Sequence, residues 1–299
     1  MSNINELQKK FGSESINFKL ISGGFITAEI KNSEAEAEIC LHGAHLMKFV
    51  PNGELPVIWM SKRSVFEPNK AISGGVPICW PYFGSASDPA LPKHGFARLS
   101  DWQVAEVASE SNATRIAFEL HPEDVTAMPV AFPFELRMEF VIGKSLLMTL
   151  SMKNCSPAEQ VITDALHPYF NVKAVEKIAI KGLDQAMYNE YIVGLEKFDR
   201  VQNGDIIINR EVDRVYFDTT GAIEIYDPGF ERTILVEKSG SASTVVWNPW
   251  IAKAHAMPYL DDDEFHTMVC IEAANAFKDR RVIPPGKTHV LSQKISVKN

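Results

Sequence analysis

ELRMEFVIGKSLLMTLSMK, Glu135 to Lys153, is the stretch whose pattern decides the fold. Leu136, Met138, Phe140 and Ile142 fall at alternate positions, with Glu135, Arg137 and Glu139 between them. Gly143 and Lys144 turn the chain. Leu146, Met148, Leu150 and Met152 then alternate with Thr149, Ser151 and Lys153. Successive side chains of an extended chain point to opposite faces, so this spacing describes a hairpin with one buried and one wetter face.

Working outward, the same period-two pattern recurs. FITAEI (Phe25–Ile30) and AEAEIC (Ala35–Cys40) flank a turn at Asn32–Ser33, and Leu46–Val50, Val57–Met60 and Thr114–Leu120 follow. Further strands are expected at Val161–Leu166, Lys177–Ile180, Ile206–Asn209, Arg214–Asp218, Ile223–Tyr226, Thr233–Glu237, Thr244–Trp247, Met268–Glu272 and His289–Val297. Helical periodicity is confined to Asn3–Phe11, where Ile4, Leu7 and Phe11 share a side. Many short strands with Gly, Pro and Asn turns predict an all-β chain, a large antiparallel β-sandwich. No repeat, low-complexity tract or linker divides it, so residues 1–299 are expected to form one domain.

A formal charge of −8 argues against a nucleic-acid surface, which needs a basic face, yet leaves room for a small anion at a local basic cluster. MSNINELQKKFGSE has no apolar core or small-residue cleavage site, and no run approaches the roughly 18 apolar residues of a membrane span. Neither a secretory signal nor a membrane segment is therefore expected. Cys40, Cys79, Cys155 and Cys270 form no C-x-x-C pair and sit among apolar neighbours, which fits reduced, buried thiols in a cytoplasmic protein.

One stretch departs from the strand pattern. SGGVPICWPYFGSASDPALPKHGFAR, Ser73 to Arg98, holds adjacent glycines, four prolines and four aromatic rings, and ends in Lys93, His94 and Arg98. Proline removes a donor and glycine frees the backbone, so a long shaped loop is expected, and such loops in compact domains are usually functional. Its aromatic surface and cationic end suggest the wall of a polar-ligand pocket. A core-plugging loop with an exposed basic tip is the plainer alternative.

Two other places concentrate titratable groups. In DALHPYFNV an apolar strand runs into His167 and stops at Pro168; in MVCIEAAN the carboxylate of Glu272 interrupts an apolar strand. Each has a plain structural explanation, a hydrogen-bonded strand-end histidine or a solvent-facing glutamate. A carboxylate buried without a partner is costly, so a buried Glu272 needs a cation or a purpose. His42 and His45 have metal-ligand spacing only on a helix, which Gly43 disfavours, and Asp261 to Glu264 lacks calcium-loop spacing and reads as a solvated loop. No P-loop, G-x-S-x-G or dinucleotide fingerprint is present.

SGGVPICWPYFG, LPKHGFAR, HPYFNV, EVDRVYFD, VVWNPW and VCIEAAN occur in this order, from about Gly43 to the C-terminus. Together they resemble the hexose-6-phosphate mutarotases (glucose-6-phosphate 1-epimerases) of the galactose mutarotase-like superfamily. The resemblance implies a galactose mutarotase-like supersandwich that interconverts α and β anomers of a hexose phosphate. It implies that Glu272 takes the proton of the anomeric hydroxyl and His167 protonates the ring oxygen, the reaction asking for Glu272 ionised and His167 protonated at the start. His94 and Asp213 become sugar ligands and Trp247 a stacking surface. Family members commonly carry Arg immediately before the double glycine, where this chain has Ser73; Arg98 is retained, and Lys93, with Lys62, Arg63 or Lys70 upstream, is available to supply charge. No metal and no cofactor is implied, and the expected partner is a small-molecule hexose phosphate bound by a monomer. The rival expectations are an aldose 1-epimerase of free sugars, a non-catalytic sugar-binding module, and a metal-dependent isomerase using His94, His167 and Glu272.

Overall fold

The hairpin read from Glu135–Lys153 forms as strands Phe134–Ile142 and Leu146–Asn154, with Phe140 opposite Met148 and Ile142 opposite Leu146. In this computed structural model, which describes residues 3–86 and 88–298, the hairpin lies inside an eight-stranded antiparallel sheet. Its order is Ala179–Lys181, Ile223–Asp227, Arg232–Ser239, Thr288–Lys298, Leu146–Asn154, Phe134–Ile142, Thr114–Leu120 and Gln103–Ser109.

A second sheet of eight strands carries Lys197–Val201, Met187–Glu190, Val212–Phe217, Ser243–Asn248, Met268–Asn275, Asp164–Leu166 and Ile78–Cys79, with Tyr169–Asn171 also paired to Met268–Asn275. The two sheets share one core. Leu136, Met138, Phe140, Leu150, Ile234 and Ile295 of the first join Phe170, Tyr216, Val246 and Ile271 of the second in a single buried cluster. Burying a large apolar side chain contributes roughly 1.5–3 kcal/mol, so this shared interior is the main source of stability. Gln293 reaches across it, its Nε2–H donating to the Ile271 carbonyl at 3.0 Å. A four-stranded antiparallel sheet, Ile16–Leu20, Ile26–Lys31, Ala35–Cys40 and His45–Pro51, and the expected N-terminal helix, Ile4–Phe11, complete the N-terminal part. The architecture is the expected antiparallel β-sandwich, and no helix among the described residues is long and apolar enough to cross a membrane.

The differences from expectation have local causes. Val57–Met60 and Ile206–Asn209 make only isolated bridges, at Ile58, Met60 and Ile206. Their apolar residues report burial, not pairing: Val57, Ile58, Ile206 and Ile208 all enter the core. Val161–Leu166 splits at Thr163 into Gln160–Ile162, paired with Arg281–Ile283, and Asp164–Leu166 in the large sheet. Thr163 leaves the ladder because it bonds the long loop, its N–H donating to the Pro81 carbonyl and its hydroxyl accepting from the Phe83 N–H. Trp250–Ala256 is an unexpected helix, too short for its periodicity to register, and begins where the Asn248 side chain accepts from the Trp250 N–H. Cys40, Cys79 and Cys270 are buried as expected, but Cys155 is exposed, because it follows the end of a strand where the chain turns outward.

Phe140, 1% exposed between the sheets and edge-on to Phe118, tests the shared core. Phe140→Ala should lower stability by about 3–5 kcal/mol, read as a fall in the urea midpoint. A loss below ~1 kcal/mol would contradict this packing.

Candidate active site

The second sheet has two unlike faces. One enters the shared core; the other carries small side chains, among them Cys79, Ala165, Val215, Val245, Ala274 and Ala276. Residues directly opposite on antiparallel strands share a face, with Cβ atoms about 4.5–5.5 Å apart. Leu166 pairs with Ala273, and Tyr169 with Cys270. Counting inward from both ends sets His167 opposite Glu272, where Pro168, lacking an N–H, interrupts the ladder. Val245 pairs with Glu272 and Val215 with Val245, which completes one cross-strand row. Two residues along lies a parallel row of Asp213, Trp247, Cys270 and Tyr169. A sheet face with small neighbours thus presents His167, Glu272, Asp213, Trp247 and Tyr169 together.

The long loop closes over this face, in the described residues on either side of Ser87. Tyr169 N–H donates to the Gly75 carbonyl and His167 N–H to the Pro77 carbonyl, and Ile78–Cys79 adds an edge strand against Ala165–Leu166. Gly75 is at φ +65°, and a Cβ there would lie 2.2 Å from His45 Nε2, so glycine is required. At the loop's end His94 is held at φ +63° by its N–H donating to the Gly84 carbonyl at 2.7 Å. Its Nδ1 accepts from the Gly84 N–H at 3.3 Å, which leaves the ring proton on Nε2.

A cavity of about 230 Å³ results, lined by Lys93, His94, Arg98, His167, Asp213, Trp247 and Glu272, all singled out from the sequence. Phe83, Tyr169, Val245, Lys253, Met257 and Tyr259 line it as well. His167 Nε2 lies 3.2 Å from Glu272 Oε1, and the other Glu272 oxygen is buried without a protein partner. The His167 ring stacks on Tyr169, which stacks on Trp59, and Trp247 meets His167 edge-on. That column fixes the imidazole plane.

Burial controls the charges. It raises the Glu272 pKa well above the carboxylate range, with Asp213 adding to the shift, and lowers His167 to about 3, with Arg98 adding. Burial alone therefore favours carboxylic acid and neutral imidazole over the ionised Glu272 and protonated His167 that the reaction asks for. Both arrangements contain the same number of protons and differ only in which partner carries the shared one. Burial also holds His94 neutral, with Arg98 contributing. Arg98 donates from Nη2 to the Lys93 carbonyl at 2.9 Å, and its Nε–H is buried without a partner. Neither Arg98 nor Lys93 forms an ion pair among the described residues.

Ser73 does not line the cavity; its carbonyl accepts from the Ser61 N–H and the Ser64 hydroxyl behind the glycine turn. Lys62, Arg63 and Lys70 also lie outside it, Arg63 pairing with Asp261 and Lys70 with Glu67. The acidic run is only partly solvated. Glu264 is buried, accepting from the Lys62 N–H and the Ser61 hydroxyl at 2.7 Å each, and so anchors the segment that brings Met257 and Tyr259 to the rim. Lys253 escaped the sequence reading because it lies on the unforeseen helix; the charged KAHA stretch within VVWNPWIAKAHA was the available signal. Among the described residues no group of three or more His, Cys, Asp or Glu side chains is arranged to hold a metal ion, and His94, His167 and Glu272 do not converge as ligands.

The family model described as aldose 1-epimerase matches residues 27–296. The chain is 33% identical over 268 residues to the Escherichia coli (strain K12) protein named "Putative glucose-6-phosphate 1-epimerase", covering 90% of this chain and 89% of that one. A protein of the same name from Cenchrus ciliaris is 32% identical over 261 residues, covering 84% and 78%. Among solved structures, the Salmonella typhimurium "putative mutarotase" YeaD superposes with a TM-score of 0.89 at 30% identity, over 96% of this chain and 95% of that one. The galactose 1-epimerase of Lactobacillus acidophilus NCFM shares the fold, with a TM-score of 0.71 at 13% identity over 96% and 99% of the two chains.

The site's proton inventory is directly measurable by imidazole 15N NMR. His94 should remain neutral between pH 5 and 8 in the Nε2–H form, and His167 should show no titration near the usual histidine value. A His167 midpoint close to 6.5 would overturn the assigned charge state.

Proposed function

The chain belongs to the aldose 1-epimerase family, and we propose that it interconverts the α and β anomers of a hexose 6-phosphate, with glucose 6-phosphate as the reference substrate. The names of the relatives support that substrate, but the observation carrying the phosphate is local. Arg98 and Lys93 bring to the cavity wall of a chain whose formal charge is −8 two cations that form no ion pair among the described residues. A dianionic phosphate supplies the missing counter-charge, and a guanidinium with a buried free N–H matches its oxygens.

His167 and Glu272 are the proposed acid–base pair. Opening the pyranose requires removal of the anomeric hydroxyl proton and delivery of a proton to the ring oxygen. Sugar hydroxyls donating to Glu272 favour its ionised form, with the shared proton moved to His167. Glu272 then accepts the anomeric proton while His167 protonates the ring oxygen. Rotation of the aldehyde and closure on its other face return both protons, so the pair ends as it began. His94 offers an Nε2–H donor, Asp213 accepts from sugar hydroxyls, and Trp247 and Tyr169 supply apolar surface for the ring. The free cysteines, one of them exposed, support a reducing cytoplasmic setting.

Anomer exchange measured by NMR on glucose 6-phosphate and on glucose tests the reading. Glu272→Gln and His167→Asn should each slow exchange by about 100- to 10,000-fold while leaving binding within a few-fold. Arg98→Ala should raise KM for the phosphate ester and leave free glucose unchanged. Faster exchange of glucose than of its phosphate by the unmodified protein would assign it to free aldoses. No acceleration of either would remove the proposal for these substrates.

A further inference from the structure

The cavity has an acidic wall that the reaction scheme leaves unexplained. Asp213 and Glu272 face it from neighbouring rows, and Asp213 makes ionisation of the buried Glu272 harder. Glu211, immediately before the Asp213 strand and outside the cavity lining, adds a third carboxylate that pushes Asp213 upward. Crowding of like charges favours protonation of one member. A protonated Asp213 offers sugar hydroxyls one acceptor fewer and a donor in its place, reversing part of the recognition pattern.

One side chain opposes this. Lys253, on the helix Trp250–Ala256, lies with Nζ 2.8 Å from Glu211 Oε1 and 3.3 Å from Asp213 Oδ2, while also lining the cavity. The other charged groups acting on Asp213 are Glu211 and, more distant on the loop, Lys93; Glu272 and Tyr191 face it and are themselves pushed upward by its charge. Lys253 is the cation that touches it. The helix is fastened independently of the carboxylates, by Trp250 against Phe265, buried Ala254 and the Asn248 cap, so the ammonium is delivered at a fixed height above the strand.

We infer that Lys253 is a positioning residue that keeps Asp213 an ionised acceptor aimed at a pair of sugar hydroxyls, while sharing its charge with Glu211. The inference rests on the sugar-site reading above for its function, but not for its charge balance. The sign follows from the neighbours. Without Lys253, burial and Glu211 push the Asp213 carboxyl upward, opposed only by the more distant Lys93. Acceptor strength is then lost from the acid side, and raising the pH restores it.

Lys253→Met, Lys253→Arg and Glu211→Gln separate the possibilities in the full-length protein. With 13C-labelled aspartate, and the Asp213 signal identified by its loss in Asp213→Asn, Lys253→Met should raise the Asp213 midpoint by at least about one pH unit. Lys253→Arg should leave it close to the parent, and Glu211→Gln should lower it. In anomer exchange of glucose 6-phosphate, Lys253→Met should raise KM toward the acid end of the pH range, because KM follows the ionised fraction of the carboxyl, which falls by up to about tenfold per unit of midpoint displacement once the pH lies below both midpoints. The defect should shrink toward pH 9, and Lys253→Arg should be rescued throughout. An unchanged Asp213 midpoint in Lys253→Met, or a KM defect equal at every pH, overturns the inference. If Lys253→Met fails to fold by circular dichroism, the downward shift in Glu211→Gln decides it alone. If the parent protein exchanges no anomers, the proposed function falls while the NMR comparison still judges the charge balance.

Discussion

Antiparallel register is the constraint on which the site depends. With Leu166 opposite Ala273 and Tyr169 opposite Cys270, His167 has no place except across from Glu272. A slip of one residue would turn the histidine toward the shared core and leave the carboxyl buried without a partner, which is the most expensive outcome for a charged group. The pressure to keep the strand register and the pressure to keep the pair are therefore the same. Pro168 breaks the ladder at the one step where the imidazole must face the cavity, and the Tyr169–Trp59 stack then holds the ring.

Charge is handled differently at the two ends of the cavity. At the His167–Glu272 end burial favours uncharged forms, so moving the shared proton to His167 creates a charge separation that the bound substrate has to stabilise. Lys93 and Arg98 form no ion pair among the described residues. Low dielectric strengthens electrostatic effects in the cavity. The carboxylates of Glu211 and Asp213 lie against the helix lysine. The net negative charge of the chain says nothing about any of this, because the local balance is set by five or six side chains and not by the total.

The sandwich was legible because its hairpins face the core on one side and water on the other, which imprints alternation on sequences such as Glu135–Lys153. Met268–Asn275 leaves no such imprint, being buried on both faces, and Glu272 stood out only as a charge in an apolar run. Val57–Met60 and Ile206–Asn209 misled because core burial with only isolated bridges produces the same apolar signal as a full strand. The cavity residues were found through loop chemistry and family resemblance. Lys253 was not, because a two-turn helix held by tertiary contacts carries too few residues to show a period, and its meaning lies in two carboxylates some forty positions away. Ser73, which stands where family members commonly carry Arg, lies outside the cavity lining, and its carbonyl serves the loop's own support.

The sources of the cavity's parts differ in mechanical character. The proposed base belongs to a strand of the interior sheet and the proposed acid to the two-residue break between two of its strands, whereas Lys93, His94 and Arg98 arrive on the long loop and Lys253 on the short helix. Distances set by a sheet ladder change little when a surface segment is lengthened or replaced. The base is thus fixed by ladder pairing on both sides, while the charged lining is set by segments at the surface, and only the first half of the loop, through Gly75, Pro77 and Ile78–Cys79, is tied to both.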